Sequence, residues 1–256
     1  RSNDDDPWVL VSEDDGDTWT SLRANLPAGS TRVIREDHLN EDVLYLGTEF
    51  GAWVSIDRGL SWGELSGEFP TVAVHDFALH PTLPEVVLAT HGRSLWILDV
   101  TPIRQMTEEV REKQTWLFDP ADVRRAVRRG MERGASGTRR FVGEDPEDDA
   151  TIYYLLRSKA KAVKLTIADP SGEILRELEA PDQSGLHRVA WDLRRAARTG
   201  ERGSRGRSLP AGRYKILLEV DGSRLEQDIT LEDEVPSSEA MGRAASLDDP
   251  LGAKHE

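Results

Sequence analysis

Three histidines, His75, His80 and His91, form the one group in this sequence whose residue types favour ligand binding. Zinc usually requires three convergent protein ligands. His75 and His80 are five residues apart, so on one continuous strand they would face opposite sides. We therefore predict no metal site and expect these histidines to form hydrogen bonds at turns and strand ends. The alternative is a weak polar ligand surface formed by Glu49, His91 and Arg93.

A phrase of eight residues, Ser-x-Asp-x-Gly-x-x-Trp, occurs twice, and its aspartates could be interpreted as catalytic acids or calcium ligands. Each residue type nevertheless has a structural task at the tip of a hairpin. The Asp carboxylate accepts hydrogen bonds from backbone N–H groups two or three residues further on, and Gly supplies a positive φ. The Trp packs beneath the turn, where it buries about 150–250 Å², and the Ser closes a second hydrogen bond. We predict a structural role for all eight residues: Ser12, Asp14, Gly16, Trp19, Ser55, Asp57, Gly59 and Trp62.

The composition excludes several classes of function. A net charge of −14 over 256 residues argues against nucleic acid as the main partner, because phosphate binding needs a basic field. The absence of cysteine excludes disulfides, thiol catalysis and Cys-ligated zinc. No apolar run approaches the roughly 20 residues that span a bilayer, so we predict no membrane span. The polar start shows no signal peptide or initiator Met, and we expect Arg1 to be a processed or truncated position rather than a translation start.

Residues 1–105 read as short strands separated by turn residues. Six of the seven tryptophans lie in residues 1–116, and the two Trp phrases are 43 residues apart. The segment VLYLGT (43–48) recurs as EVVLAT (85–90), a shift of 42 residues that also brings Asp57 onto Asp99. A period of 40–45 residues built from short strands is typical of the four-stranded blades of a β-propeller.

Residues 106–150 have a different composition and are predicted to form a connector. Residues 106–113 could form a short helix, and WLF (116–118) a short strand. Two arginine-rich stretches, 124–140 and 194–207, are interpreted as solvated loops. The alternative is that their arginines bind an acidic surface of this protein, of a neighbour or of a glycan.

Residues 151–232 return to strands that alternate polar and apolar residues, as expected for strands with one buried face. Turn sequences DPSG (169–172) and DGS (221–223) indicate hairpins. Six such strands predict a small antiparallel sandwich. The polar tail, 233–256, lacks a strand pattern, and a short helix over 237–245 and disorder are both open. The predicted fold class is therefore all-β.

The two Trp phrases at blade spacing resemble the Asp-box of bacterial-neuraminidase repeat proteins, which include sialidases, xyloglucanase-type glycoside hydrolases and the propeller of sortilin. The stretches VHDFALHP (74–81) and ATHGRSLWILDVTPIR (89–104) look like the last blades of secreted bacterial proteins labelled sortilin-like or glycosyl-hydrolase-like. In that group an Ig-like domain similar to that of the flagellar hook-capping protein follows the propeller. Three segments resemble this domain: VKLTIADPSGEIL (163–175), GLHRVAWDLR (185–194) and LPAGRYKI (209–216).

The resemblance implies terminal propeller blades followed by an Ig-like antiparallel sandwich. Residues 1–105 supply about two and a half blades, and a ring needs at least four. The remaining blades are expected upstream in the same polypeptide or in a second chain. A secreted or extracytoplasmic location is likewise what the resemblance implies.

The leading functional hypothesis is a non-catalytic binding or assembly module that presents a protein or glycan interaction surface, without a cofactor. We nominate no catalytic residue. A two-carboxylate glycosidase needs its acid and base about 5–9 Å apart, and 47 Asp and Glu residues single out no pair. The sialidase set also needs a Tyr–Glu pair, and the first half contains one tyrosine, Tyr45, within a strand. The alternatives are a glycoside hydrolase with catalytic residues upstream of Arg1, and a structural subunit of a surface layer or filament.

Overall fold

A computed structural model describes residues 6–65, 69–126, 149–197 and 206–234. By internal contacts the chain divides into two compact units, Arg1–Asp119 and Pro120–Glu256. Strands make up nearly all of the regular secondary structure of the described residues, and the predicted all-β class is confirmed. They form no closed ring. The predicted tail helix and most of the arginine-rich stretches lie outside the described residues.

The first unit consists of three antiparallel sheets in chain order. The first sheet has two strands, the second is a four-stranded meander and the third is a three-stranded meander. Two short helices and a short strand follow. In order, the strands are β1 (Leu10–Val11) and β2 (Thr20–Ser21); β3 (Thr31–Glu36), β4 (Leu44–Thr48), β5 (Ala52–Ser55) and β6 (Gly63–Glu64); β7 (Val74–Leu79), β8 (Glu85–Thr90) and β9 (Leu95–Asp99); then α1 (Thr101–Arg104), α2 (Glu108–Glu112) and β10 (Thr115–Leu117).

The second sheet packs with each face against a different neighbour. Leu44 and Leu46 of β4 belong to a cluster with Val9 and Leu26, which flank the first sheet, and Tyr45 belongs to a cluster with residues of the third sheet. Because both faces of β4 are buried, its sequence is a continuous apolar run rather than an alternating one. The first cluster contains Val9, Leu26, Leu44, Leu46 and Trp62; the second contains Val43, Tyr45, Ala52, Val74, Phe77, Val86, Leu88 and Val100.

The second and third sheets approach each other closely at Gly47 in β4. A Cβ atom placed on Gly47 would lie 2.6 Å from the carbonyl oxygen of Val74 in β7, well inside van der Waals contact. Both sheets also carry a β-bulge near the start of their first strand, with Arg32 as the extra residue of β3 and His75 as the extra residue of β7. The sequence repeat therefore extends to register, since a bulge inserts one residue and redirects its side chain.

The outward faces of the first and third sheets are apolar and exposed. Trp8 and Trp19 are 62% and 60% exposed beside the first sheet. On β9, Leu95 and Ile97 are 68% and 65% exposed. Large apolar side chains gathered on one face usually mark a surface that another element covers.

The helices confirm the expectation for 106–113 and add one that was not predicted. In α2, Thr107 is the N-cap, and its side chain accepts a hydrogen bond from the Val110 N–H. In α1, Pro102 lies in the first turn, where its missing N–H has no cost. Helix α1 begins directly after β9 and replaces the turn and fourth strand that follow β5 in the second sheet.

The second unit consists of one pair of strands and one five-stranded sheet. Strand β12 (Ala150–Leu156) pairs with β15 (Gly185–Trp191). The five-stranded sheet has the order β11-β17-β16-β13-β14, and every pair in it is antiparallel except β11 with β17. Its strands are β11 (Val123–Ala126), β13 (Val163–Ala168), β14 (Ile174–Leu178), β16 (Gly212–Val220) and β17 (Ser223–Glu234).

The core of the second unit comes from these strands, with near-continuous buried runs in β12 and β13, and all six predicted strands are confirmed. Its largest fully buried side chain is Trp191, whose ring meets the Tyr214 ring edge to face at 6.0 Å. The hairpin between β16 and β17 turns at Asp221 and Gly222, which have φ values of 50° and 89°. Asp and Gly tolerate this left-handed region better than other residues, as the turn prediction required.

One part of the predicted connector is a strand. Strand β11 falls inside the first arginine-rich stretch, which we expected to be a solvated loop. Arg124 pairs with Glu232 at 3.3 Å and Arg125 with Asp233 at 2.6 Å, while Arg125 also donates to the Leu209 carbonyl oxygen. Acidic side chains of β17 therefore neutralise the charges of these two arginines. This agrees with the alternative prediction that the arginines bind an acidic surface of the same protein.

Candidate functional site

The turn of the second Trp phrase, residues 55–62, is held by side-chain hydrogen bonds. Ser55 Oγ donates to Asp57 Oδ1 at 2.7 Å and accepts from the Gly59 N–H at 2.7 Å. The Asp57 carboxylate accepts from the Ser61 N–H at 2.9 Å and from the Ser61 hydroxyl. The N–H group that donates to Asp57 thus lies four residues further on, not two or three as expected. The N–H group two residues on, that of Gly59, donates to Ser55 instead.

The turn of the first phrase repeats this arrangement. Ser12 Oγ donates to Asp14 at 2.8 Å and accepts from the Gly16 N–H at 2.7 Å. Asp14 accepts from the Thr18 N–H and hydroxyl at 2.8 and 2.6 Å. Gly16 and Gly59 have φ values of 98° and 85°, a region that strains residues with a Cβ. A shared bond pattern explains why the chain contains the phrase twice.

The pKa values of both aspartates lie below the ordinary value. For Asp14, hydrogen bonds from the Thr18 side chain and backbone lower the pKa. For Asp57, burial opposes ionisation, but hydrogen bonds from Ser61 and Ser55 outweigh it and lower the pKa. Both carboxylates are therefore ionised acceptors at neutral pH, whereas a general acid requires the opposite shift.

The tryptophans of the two phrases differ in burial. Trp62 is 4% exposed, and its Nε1 donates to the Leu22 carbonyl oxygen at 2.8 Å, so its indole lies between the first and second sheets. Trp19 is 60% exposed, and its Nε1 donates to Gly16 within its own turn at 3.1 Å. The expected burial holds for Trp62 and not for Trp19, because no described sheet precedes the first one.

Replacement of Asp57 by Asn is expected to destabilise the first unit at pH 7 by about 1–2 kcal/mol, since hydrogen bonds to a charged group are lost. A lowered folded-state pKa contributes stability that is complete above the unfolded value near 4 and is lost as pH falls through the folded value. The difference between wild type and Asp57→Asn should therefore shrink between about pH 5 and pH 3.

Hydrogen exchange of the β4 and β5 amides, followed across this pH range, measures that difference for the first unit alone. Asp14→Asn is the matched control in the exposed copy of the turn, and its effect should have the same direction and be smaller. A difference for Asp57→Asn that is constant with pH would contradict the assignment of Asp57 as the titrating acceptor.

A groove of about 610 Å³ lies between the two turns. Its polar lining is mainly carboxylate, and its one cationic residue, Arg58, pairs with Glu41 at 3.4 Å. Asp14 and Asp57 at its rim are committed to the turns. No group of three or more side chains suited to holding a metal is found among the described residues. The acidic lining residues are Glu13, Asp14, Glu36, Glu41 and Asp57.

The residues predicted for a weak polar ligand surface lie at the opposite end of the sheets. Glu49 follows the last residue of β4, and His91 follows the last residue of β8, so the two occupy equivalent positions. Glu49 lies 3.6 Å from the Arg32 guanidinium, and the His91 ring stacks on the His75 ring at 5.4 Å. In both sheets, therefore, the side chain of the bulge residue contacts the side chain of the residue that follows the second strand. We call Arg32, Glu49, His75, His91 and Arg93 the turn surface.

The structure separates the three histidines of the sequence. His80 belongs to a different turn, where its Nδ1 accepts from the Leu83 N–H at 2.8 Å and the Thr82 N–H at 3.2 Å. Arg93 lies exposed in the turn after β8, and its carbonyl oxygen accepts from Trp96 Nε1 at 2.9 Å. Arg32 and His75 were not among the residues predicted for this surface, since a bulge is a property of register that the sequence pattern does not display.

A buried polar network was also missed by the sequence analysis. Asp37 is fully buried and accepts from Arg104 Nε at 2.7 Å, from the Tyr45 hydroxyl at 3.1 Å and from the Leu39 N–H at 2.9 Å. Arg104 also donates to the Leu83 carbonyl oxygen at 2.9 Å, which ties α1 to both meanders. Burial and the Asp37 charge raise the pKa of Tyr45, so its phenol stays protonated and acts as a donor.

One family match lies within the second unit. Residues 138–223 match the family described as the FlgD Ig-like domain, so the predicted Ig-like domain is confirmed. No curated protein is significantly similar to this chain. Several solved structures are similar, of which two are described. CopC from Methylosinus trichosporium OB3b is 13% identical over 48% of this chain and 98% of its own, with a TM-score of 0.25.

The second is the extracellular domain of a putative one-component system from B. thetaiotaomicron. It is 10% identical over 90% of this chain and 31% of its own, with a TM-score of 0.28. The chain therefore spans about a third of that structure. The helices of the described part of this chain have four and five residues, too short to cross a bilayer.

Proposed function

We propose that the chain is the terminal part of an Asp-box β-propeller protein of the sortilin-like type that acts as an extracytoplasmic, non-catalytic binding or assembly module. Residues 1–105 would form the last blades, 106–150 a connector, 151–232 the Ig-like sandwich and 233–256 a polar tail. The turn surface would bind a protein or glycan ligand, and the Ig-like domain would serve as a spacer or second interaction domain. No cofactor takes part.

One observation carries the propeller part of the proposal: the three sheets of the first unit are successive copies of one pattern. The meander β3-β4-β5-β6 has the strand order of a blade, and its Asp-box turn joins the third strand to the fourth. The first sheet matches its last two strands and the third sheet its first three. Face-to-face packing of such copies, each through its own apolar cluster, is what blades require.

The exposed apolar faces of the first and third sheets support the expectation of further blades. Trp19 occupies the same position in its phrase as the buried Trp62 and lacks only a preceding sheet to pack against. An exposed face of this kind would promote aggregation if it stayed uncovered. The covering blades would belong to the same polypeptide or to a second chain.

The electrostatics favour a non-catalytic role. The carboxylates of the first unit with shifted pKa values, Asp14 and Asp57, are shifted downward by bonds within their turns. The one tyrosine of this unit, Tyr45, is buried with a raised pKa, whereas a nucleophilic phenol must ionise readily. The turn surface instead offers exposed imidazole and guanidinium groups, which suit recognition of carboxylate or sulfate groups on a ligand.

The binding function is tested with the 256-residue chain on an array of sialylated, sulfated, uronate-bearing and neutral oligosaccharides, with product analysis by mass spectrometry. Acidic ligands should bind without being hydrolysed. Arg93→Ala should weaken binding about tenfold, the loss of one charge-assisted hydrogen bond. Arg58→Ala, at the opposite end of the sheets, is the matched control and should bind as wild type.

Hydrolysis of any oligosaccharide by this chain would overturn the non-catalytic assignment. Equal weakening by Arg93→Ala and Arg58→Ala would overturn the turn surface as the binding site. The mass of the native polypeptide in its source tests the propeller part separately. Additional Asp-box repeats before Arg1, or a stable complex with a chain that carries them, would support it. A native monomer that begins at Arg1 would contradict it.

A further inference from the structure

The buried tryptophan of the second Asp-box occupies a socket that can be described residue by residue. Trp62 lies between β5 and β6, and β6 pairs with β5 through Trp53 with Glu64 and Val54 with Gly63. The indole packs in a cluster with Leu22 and Leu26, which follow β2. The fourth strand of this sheet thus inserts its tryptophan against residues that follow the previous sheet.

The same socket recurs one repeat later without its tryptophan. The residues 43 positions after Leu22 and Leu26 are Leu65 and Phe69. Both line a groove of about 370 Å³, whose lining is otherwise mostly apolar. The Phe69 ring meets the Trp96 ring edge to face at 5.4 Å and forms one wall of this groove. The groove residues are Leu65, Phe69, Trp96, Ile97, Leu98, Asp99, Val100 and Ile103.

Strand β9 forms the floor of the groove and is the edge of its sheet. It corresponds to β5, yet among the described residues it pairs with β8 alone. By their pairing with the second strand of each sheet, Trp96 and Ile97 occupy the positions of Trp53 and Val54, the residues to which β6 is paired. An edge strand beside an apolar groove is suited to accept a further strand by β-augmentation.

We propose that this groove receives a fourth β-strand with a tryptophan in Asp-box register, supplied by another segment of the propeller. The strand pairs with β9 at Trp96 and Ile97, and its indole fills the space beside Leu65 and Phe69. This inference rests on the proposed propeller and specifies where the ring closes. A second copy of this chain is a poorer occupant, because its strands β2 and β6, which directly follow Trp19 and Trp62, are already paired with β1 and β5.

The probe is a peptide with the sequence of residues 57–65, DRGLSWGEL, which copies the strand that fills the intact socket. It is titrated into the isotope-labelled 256-residue chain, and backbone amide shifts are followed by NMR. Saturable shifts are expected in β9 and at Leu65 and Phe69. The same peptide with alanine in place of tryptophan should bind at least tenfold more weakly, as for a buried aromatic anchor.

Two protein variants complete the test. Ile97→Lys places a charge in the groove at a side chain that is 65% exposed, so the unit should stay folded while peptide binding is lost. Ile174→Lys in the second unit is the matched control, at a side chain 55% exposed, and should bind normally. The proposal would be overturned if the peptide bound equally well without its tryptophan or to the Ile97→Lys variant. It would also be overturned if the amides of β9 showed no saturable shift.

Self-association that Ile97→Lys abolishes would also overturn it, since a second copy would then occupy the groove. Ligand binding at the turn surface is measured through Arg93→Ala and does not involve the groove. If the peptide does not bind while oligosaccharides still bind the turn surface, only the proposal of a strand that pairs with β9 is refuted. Failure of ligand binding with intact peptide binding refutes the proposed ligand surface alone.

Discussion

Replacement of Trp62 by Ala is expected to lower the free energy of unfolding of the first unit by about 3–5 kcal/mol, the usual cost of removing a buried indole. The side chain is 4% exposed, fills the space between two sheets and donates a hydrogen bond to Leu22. The same change at Trp19 should cost no more than about 0.5 kcal/mol, because that side chain is 60% exposed.

Hydrogen exchange of the β4 amides measures both effects in the full chain, where a global unfolding signal would mix the two units. Trp62→Phe provides a milder variant that keeps most of the packing and loses the N–H donor, with an expected cost of about 1 kcal/mol. Equal costs for Trp62→Ala and Trp19→Ala would show that the neighbouring sheet does not determine the role of the motif tryptophan.

Replacement of Asp37 by Ala is expected to destabilise the first unit by about 3–5 kcal/mol, because it leaves the Arg104 charge buried without its partner. Arg104 is 9% exposed, and its Nη2 donates no hydrogen bond among the described residues. Its guanidinium therefore has little contact with water that could replace the lost carboxylate. The double variant Asp37→Leu/Arg104→Met should recover most of the loss, since apolar residues of similar size can replace a buried ion pair.

The double-mutant cycle is completed with Asp37→Leu alone and Arg104→Met alone, read out by the same hydrogen exchange. A coupling energy near zero would mean that the two side chains act independently, against the geometry. Tyr45→Phe serves as an internal reference, because it removes a single hydrogen bond to Asp37 and should cost about 1 kcal/mol.

Much of the fold was predictable because local residue types determine it. The hairpin at Asp221 and Gly222 requires positive φ at both positions, and the strands on either side alternate polar and apolar residues. The turns of the two Trp phrases are similarly local, since the hydrogen bonds made by their Ser and Asp side chains join residues at most four positions apart. Such features are encoded within a few neighbouring residues.

The features that were missed depend on residues distant in sequence. Asp37 and Arg104 are 67 residues apart, and neither neighbourhood indicates a buried ion pair. The opposite burial of Trp19 and Trp62 could not follow from identical phrases, because the adjacent sheet causes it. Strand β11 was hidden by its arginines, whose acidic partner Asp233 lies 108 residues beyond Arg125. The paired Arg32 and His75 depend on a shift of register that only the folded sheets display.

The parallel pairing of β11 with β17 has a mechanical consequence. These are the first and last described strands of the second unit, and they align Val123 with Leu231 through Ala126 with Glu234. In a parallel pair the start of one strand and the end of the other lie at opposite ends of the ladder. Tension along the polypeptide would therefore shear all the bonds of this ladder together instead of peeling them one by one. Under such tension the second unit would resist through all four residue pairs of this ladder at once.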